Sequence, residues 1–134
     1  MTLFMIVSAE MILAVGSLES RVPVDQLAGA RAEINPLPAT PENLKKGRAI
    51  YEGKGTCYLC HGEDGEGYGP EAAGLDPPPT NLTDATFQAA RTDGELMWVL
   101  RHGIANTNMP AFVGKGLTEE EGWAVIHYIR SLKR

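Results

Sequence analysis

A chain of 134 residues, 43% of them hydrophobic, has room for one compact domain and a tail. Its net charge is −5 and its Lys and Arg residues are scattered, which argues against nucleic acid or an anionic membrane surface as the main partner. It has two cysteines, three positions apart, so a disulfide framework is excluded.

From Thr2 to Leu18 the chain is apolar apart from Glu10 and a few small polar residues. This is the pattern of a secretory signal, with Ala14-Val15-Gly16 as the small-residue cleavage site. No Lys or Arg precedes the apolar run, and Glu10 interrupts it, so an uncleaved anchor is the rival reading. That stretch is shorter than the roughly 20 residues a membrane-spanning helix needs. A carboxylate in mid-membrane is also costly. Residues 1–18 are therefore expected to be a cleaved leader or, failing that, an anchor, which is the only route to membrane contact.

Residues 19–40 contain Pro23, Pro36 and Pro38. Proline fixes φ and removes a backbone donor, so no long helix is expected to cross this stretch. It reads as an extended tether or a strap lying on a partner, with a loose tail as the alternative.

The folded domain is expected to span residues 41–134. Thr40 can cap a helix, Pro41 suits its first turn, and Glu42 complements the dipole. Leu44, Ile50 and Tyr51 give this helix a buried face, and Gly53 and Gly55 end it. The run from Gly62 to Pro70 can only be loop. Pro77-Pro78-Pro79 is rigid and extended. Thr92-Asp93-Gly94-Glu95 is a capping box opening a second helix, with Leu96, Met97, Val99 and Leu100 on its apolar face. Gly103 stops it. Thr118-Glu119-Glu120-Glu121 is a second capping box, opening a last helix striped by Val125, Ile126, Ile129 and Leu132. No strand alternates convincingly, so the expected class is all-α: about three main helices and long loops.

The chemistry sits in Cys57-Tyr58-Leu59-Cys60-His61. A Cys-x-x-Cys pair serves as a redox dithiol, as half of a zinc site, or in haem attachment. A zinc site wants a fourth ligand or a second Cys pair, for which His102 and His127 are available but at unhelpful separations; a dithiol oxidoreductase wants a βαβ context, which is absent. At positions i, i+3 and i+4 of one turn, both thiols can add to the vinyl groups of one haem while His61 points at its iron. One covalently bound haem c is therefore expected. Such attachment normally occurs outside the cytoplasm, which makes a bacterial periplasm the expected address.

The second axial position falls to Met109, in a loop beside Pro110 and flanked by Asn106 and Asn108, which can fix the loop by local hydrogen bonds. A thioether ligand favours ferrous iron and raises the potential. Met97, on a helical apolar face, reads as core filler. His102 and His127 read as structural or solvated rather than as ligands. The second ring nitrogen of His61 needs an acceptor, for which the carbonyl of Pro70 is the candidate. Gly67 and Gly69 would let the backbone pass close to the porphyrin. Trp98 and Tyr68 have polar tips able to reach the haem propionates, although Trp98 serves equally as core packing. Three short helices alone would make a thin core, so the haem-free chain is expected to be largely unfolded.

In this order the motifs resemble class I cytochromes c, small single-haem carriers with one His and one Met ligand. The resemblance covers about residues 41 to 133. It rests on Lys46 to Tyr51, Cys57 to His61, Gly69-Pro70, Asn108 to Phe112, and Leu117 through Leu132. It implies a cytochrome c fold in which Gly47 admits close contact of the two terminal helices and Tyr128 packs across. Pro77 to Leu82 and Glu95 to Trp98 look more like bacterial cytochrome subunits attached to dehydrogenases or respiratory complexes. The expected role is thus an electron-transfer protein rather than an enzyme. It would shuttle single electrons between redox protein partners in the periplasm, through a haem edge near Tyr58, Leu59 and residues 105–111. A fixed haem subunit of a larger dehydrogenase or respiratory complex, held by residues 19–40, is the second expectation. A haem-based gas sensor or weak peroxidase is the third.

Overall fold

Six helices and no strand make up residues 19–134, the residues described by the computed structural model. The expected leader or anchor lies outside the described residues. In chain order the helices are α1 (Val24–Ala32), α2 (Pro41–Glu52), α3 (Tyr58–His61), α4 (Ala85–Ala90), α5 (Asp93–His102) and α6 (Glu119–Ser131). Among the described residues, no helix is long and apolar enough to cross a membrane.

Local chemistry starts the main helices where the sequence places them. Thr40 Oγ1 accepts the Asn43 N–H at 3.2 Å, ahead of Pro41. At α6 the capping box is complete: Thr118 Oγ1 accepts the Glu121 N–H at 3.2 Å, and Glu121 Oε1 accepts the Thr118 N–H at 3.0 Å. At α5 the box is only half formed. Thr92 Oγ1 accepts the Glu95 N–H at 3.2 Å, but the Glu95 carboxylate turns away to Arg31 and Ser20. The short α4, capped by Asp84 on the Phe87 N–H at 3.0 Å, was not anticipated from the sequence.

Helices α2 and α6 cross where Gly47 meets Ala124. A Cβ on Gly47 would stand 2.1 Å from the Ala124 carbonyl oxygen, so only glycine permits the approach. Tyr51 and Tyr128 meet edge to face beside it, with centroids 5.1 Å apart. The core gathers Ile50, Tyr51, Met97 and Leu100 against Trp123, Val125, Ile126 and Ile129. Met97 is fully buried there, as core filler should be.

Residues 19–40 depart from the expected extended strap. Their prolines flank a helix rather than prevent one: Pro23 precedes α1, and Pro36 and Pro38 follow it. The alanine-rich interval carries Asp25 in its first turn and Arg31 in its last, both favourable to the helix dipole. This segment lies on the chain's own domain, with α1 against α5. A Cβ on Gly94 would stand 1.9 Å from the Ala30 carbonyl oxygen. Arg101 grips both Glu33 carboxylate oxygens at 2.6 Å. Asn35 Nδ2 donates to the Trp123 carbonyl at 3.1 Å. His127 Nε2 donates to the Leu37 carbonyl at 2.6 Å, since a carbonyl can only accept.

Candidate functional site

A cavity of about 320 Å³ opens between α3, α5, the Pro77–Thr80 segment and the loop after α5. Cys57, Cys60, His61 and Met109 all line it. Much of the rest is apolar, including Leu82, Leu96, Val99, Leu100, Ile104 and Phe112.

The thiols and the imidazole come from a single helical turn. His61 N–H donates to the Cys57 carbonyl at 2.9 Å, which closes the turn and puts Cys57, Cys60 and His61 on one face. The glycine-rich loop laces this turn from outside. The amides of Glu71, Gly69 and Gly67 donate to the carbonyls of Leu59, Cys60 and His61 at 2.7, 3.0 and 2.7 Å. A Cβ on Gly69 would stand 2.3 Å from the Leu59 carbonyl oxygen, and one on Gly67, at φ +98°, 2.8 Å from that of Pro79. The close approaches these glycines allow are therefore to the turn and to the proline segment. From inside, the buried Tyr51 hydroxyl donates to the Gly62 carbonyl at 2.6 Å.

His61 Nδ1 donates to the carbonyl of Thr80 at 2.9 Å. The expected acceptor, the Pro70 carbonyl, is replaced by one ten residues further along the chain. Pro70 lies outside the cavity lining and is exposed, because the loop's hydrogen bonds to the turn carry it past the imidazole. With Nδ1 protonated, Nε2 keeps its lone pair. Burial lowers the His61 pKa, partly opposed by the Thr80 bond, which favours the neutral ring a metal needs. Burial pushes the Cys57 thiol up to about 11. Cys60 is raised too, by burial and then by Glu71. Raised thiols are the opposite of what an attacking dithiol needs.

Met109 sits in a loop fixed chiefly by Thr107, a residue sequence reasoning passed over. Thr107 Oγ1 donates to the Ile104 carbonyl at 2.8 Å and accepts the Met109 N–H at 3.1 Å. Asn106 contributes a left-handed backbone, φ 60°, rather than a side-chain bond to the loop. His102 and His127 do not line the cavity. His102 stacks on Trp98 at 4.3 Å, and His127 holds the strap. Trp98 also lies outside the lining: its Nε1 donates to Gln26 Oε1 of α1 at 2.9 Å. Its expected contact with propionates is thus replaced by one with the strap, because α1 covers that face of α5. Tyr68 is 86% exposed.

No group of three or more His, Cys, Asp or Glu side chains that could hold a metal ion occurs among the described residues. Two thiols, a neutral imidazole and a thioether around one apolar cavity are a donor set suited to a covalently held haem. A model of the cytochrome c family matches residues 44–133. The chain belongs to the cytochrome c family. This cytochrome carries a covalently attached haem c, and membership of the family points to electron transfer through it. It is similar to a chain in the solved structure of the reducing HAO-like protein complex Kustc0457/Kustc0458 from Kuenenia stuttgartiensis. The two are 32% identical, with a TM-score of 0.65, and the match covers 74% of this chain and 47% of that one. The cytochrome thus spans about half the length of the chain it matches. No curated protein matches it.

Proposed function

We propose that this cytochrome is an exported, periplasmic relay for single electrons, with its haem bonded to Cys57 and Cys60 and the iron held by His61 and Met109. The observation that carries the reading is that one apolar cavity is lined by all four side chains. Bound there, the haem supplies a one-electron ferric/ferrous couple. The protein's part is to hold that couple still. Thr80 fixes the imidazole tautomer, Thr107 fixes the methionine loop, and the apolar lining excludes water. A neutral thioether favours the ferrous state and raises the potential. Electrons enter and leave near the loop of residues 105–110, where Ala105, Asn106, Asn108 and Pro110 are exposed. The donor and acceptor are redox proteins that dock briefly there.

The deciding experiment is the visible spectrum of the ferric, haem-loaded protein beside Met109→Ala. A weak far-red band of sulfur bound to ferric iron is expected in the first and absent in the second. A wild type lacking that band would sink the assignment of Met109 and bring forward a sensor or peroxidase.

A second reading is a haem subunit fixed in a larger redox assembly. It is favoured by the likeness to a chain from a protein complex. Gel filtration of the native extract separates the two readings. A relay elutes near the 14.5 kDa of the chain or slightly below, and a subunit elutes with its complex.

A further inference from the structure

The loop that carries Met109 is fastened to the end of α5 by a seam of backbone bonds. The Leu100 carbonyl accepts the amides of both Phe112 and Val113, at 2.8 and 2.9 Å. In the opposite direction the Ile104 amide donates to the Met109 carbonyl at 3.0 Å. Leu100, Ile104, Met109 and Phe112 all line the cavity, so the seam is part of its wall.

Gly103 lies in the middle of that seam and is buried. Its amide donates to the Val99 carbonyl at 2.7 Å, which ends α5. Its backbone, at φ 69° and ψ −170°, falls in a region open essentially to glycine alone. A Cβ there would stand 2.7 Å from the Met109 carbonyl oxygen, 2.9 Å from the Pro110 carbonyl carbon and 3.0 Å from the Ala111 nitrogen. All three are backbone atoms, so no side-chain rotation makes room. Gly114, further along the same loop, shows a positive φ without such contact: φ is +83°, and a Cβ would meet nothing within 4 Å. Ending a helix accounts for the conformation of residue 103. It does not account for the ligand loop lying directly against it.

We infer that Gly103 is a positioning residue for the sulfur ligand: its missing side chain seats the Met109 backbone on the end of α5, so that the sulfur leaves the iron only when this seam opens. The inference rests on the reading that Met109 binds the iron. A methyl at position 103 pushes residues 109–111 off the helix end. The strain is relieved when the loop lifts, so it counts against the sulfur–iron bond and in favour of any competing ligand.

The test uses the full haem-loaded chain and the variants Gly103→Ala and Gly114→Ala. The readouts are the far-red band of the ferric protein and a carbon monoxide titration of the ferrous protein. Gly103→Ala is expected to weaken the band and to tighten carbon monoxide binding about tenfold or more. Gly114→Ala strains the backbone without touching the ligand loop and is expected to leave both at their wild-type values. A wild-type band and titration in Gly103→Ala would overturn the proposal, as would equal changes in Gly114→Ala. A second measurement needs no variant and decides the matter if Gly103→Ala fails to fold. Cyanide is added to the ferric wild type to displace the sulfur, and hydrogen exchange is followed at the amides of Ile104, Phe112 and Val113. Faster exchange there is expected; unchanged exchange with the far-red band lost would overturn the proposal. Met109→Ala, run alongside, separates the two levels. If it removes the band while Gly103→Ala behaves as wild type, only the role of Gly103 falls. If it leaves the band in place, the assignment of Met109 falls as well.

Discussion

His61 and Thr80 are joined by a hydrogen bond of 2.9 Å from the imidazole Nδ1 to a backbone carbonyl nineteen residues away. The acceptor is part of the segment Pro77–Thr80, which lines the same cavity. The orientation of the one histidine in the cavity wall therefore depends on the position of a proline-rich strand of loop.

Gly67→Ala tests that dependence. Residue 67 has φ +98°, and a Cβ there would stand 2.8 Å from the Pro79 carbonyl oxygen. Alanine is strained in that conformation and pushes the segment carrying the Thr80 carbonyl. The expected cost is about 1–3 kcal/mol in denaturant unfolding of the haem-loaded protein. A weaker Nδ1 bond makes the imidazole a poorer electron donor to ferric iron, so the potential is expected to rise. A redox titration checks the sign.

The two methionines of the folded domain should part ways. Met109→Ala is expected to lower the potential and to let carbon monoxide bind the ferrous protein tightly, because it opens a coordination position. Met97→Leu is expected to cost less than about 1.5 kcal/mol and to leave the far-red band intact, because Met97 fills the core. A carbon monoxide titration of both variants makes the comparison.

Gly47→Ala would ordinarily favour a helix by about 1 kcal/mol. Here the added methyl would meet the Ala124 carbonyl at 2.1 Å, which no side-chain adjustment can relieve. A net loss of about 1–3 kcal/mol is expected, read as a lowered thermal midpoint.

Acid should loosen the strap before the domain. The Arg101 hydrogen bonds hold the Glu33 carboxyl below its ordinary value of 4.5. A depressed carboxylate contributes stability above its unfolded pKa and loses it as pH falls through the folded value. Arg101 also binds Glu119, which keeps α5 joined to α6 when the Glu33 bond is lost. After correction for the intrinsic exchange rate at each pH, the opening of α1 read by hydrogen exchange is expected to become easier as pH drops below about 4.5, and Glu33→Gln to show that easier opening already at neutral pH.

Leaving the cavity unfilled should be ruinous. Without the haem, the apolar lining, including Leu82, Leu96, Val99, Leu100, Ile104 and Phe112, faces water instead of a porphyrin, and each such side chain left unburied forgoes about 1.5–3 kcal/mol. A few such losses are comparable to the whole stability of a small domain, about 5–15 kcal/mol. A chain expressed without haem attachment is expected to give the far-ultraviolet circular dichroism of a mostly unfolded polypeptide.

What was legible in the sequence is what neighbours in the chain decide. The caps at Thr40 and Thr118 depend on residues three apart, and the attachment turn on residues three and four apart. Met97 and Met109 could be told apart because one lay on an apolar helical stripe and the other beside a proline. The acceptor of His61 was not legible, since a backbone carbonyl carries no residue identity and every position offers one. The docking of α1 was not legible either. Its prolines read as obstacles to a helix, yet they bound one whose partners, Gly94 and Arg101, lie some sixty residues on. Gly94 held the one available signal: a glycine inside the first turn of a helix weakens it unless something must come close.

The lacing of the attachment turn has a consequence for how the cytochrome is made. Its three outward carbonyls are taken by amides at positions 67, 69 and 71, and the imidazole by a carbonyl at position 80. A chain synthesised from its N-terminus therefore presents Cys57 to His61 before any of these supports exists. Whatever machinery fastens the haem meets five consecutive letters rather than a pocket. The two thiols and the histidine fall within one turn of chain, while Met109 lies far downstream. The attachment letters can be read in an unfolded chain, whereas Met109 reaches the cavity only when the chain folds.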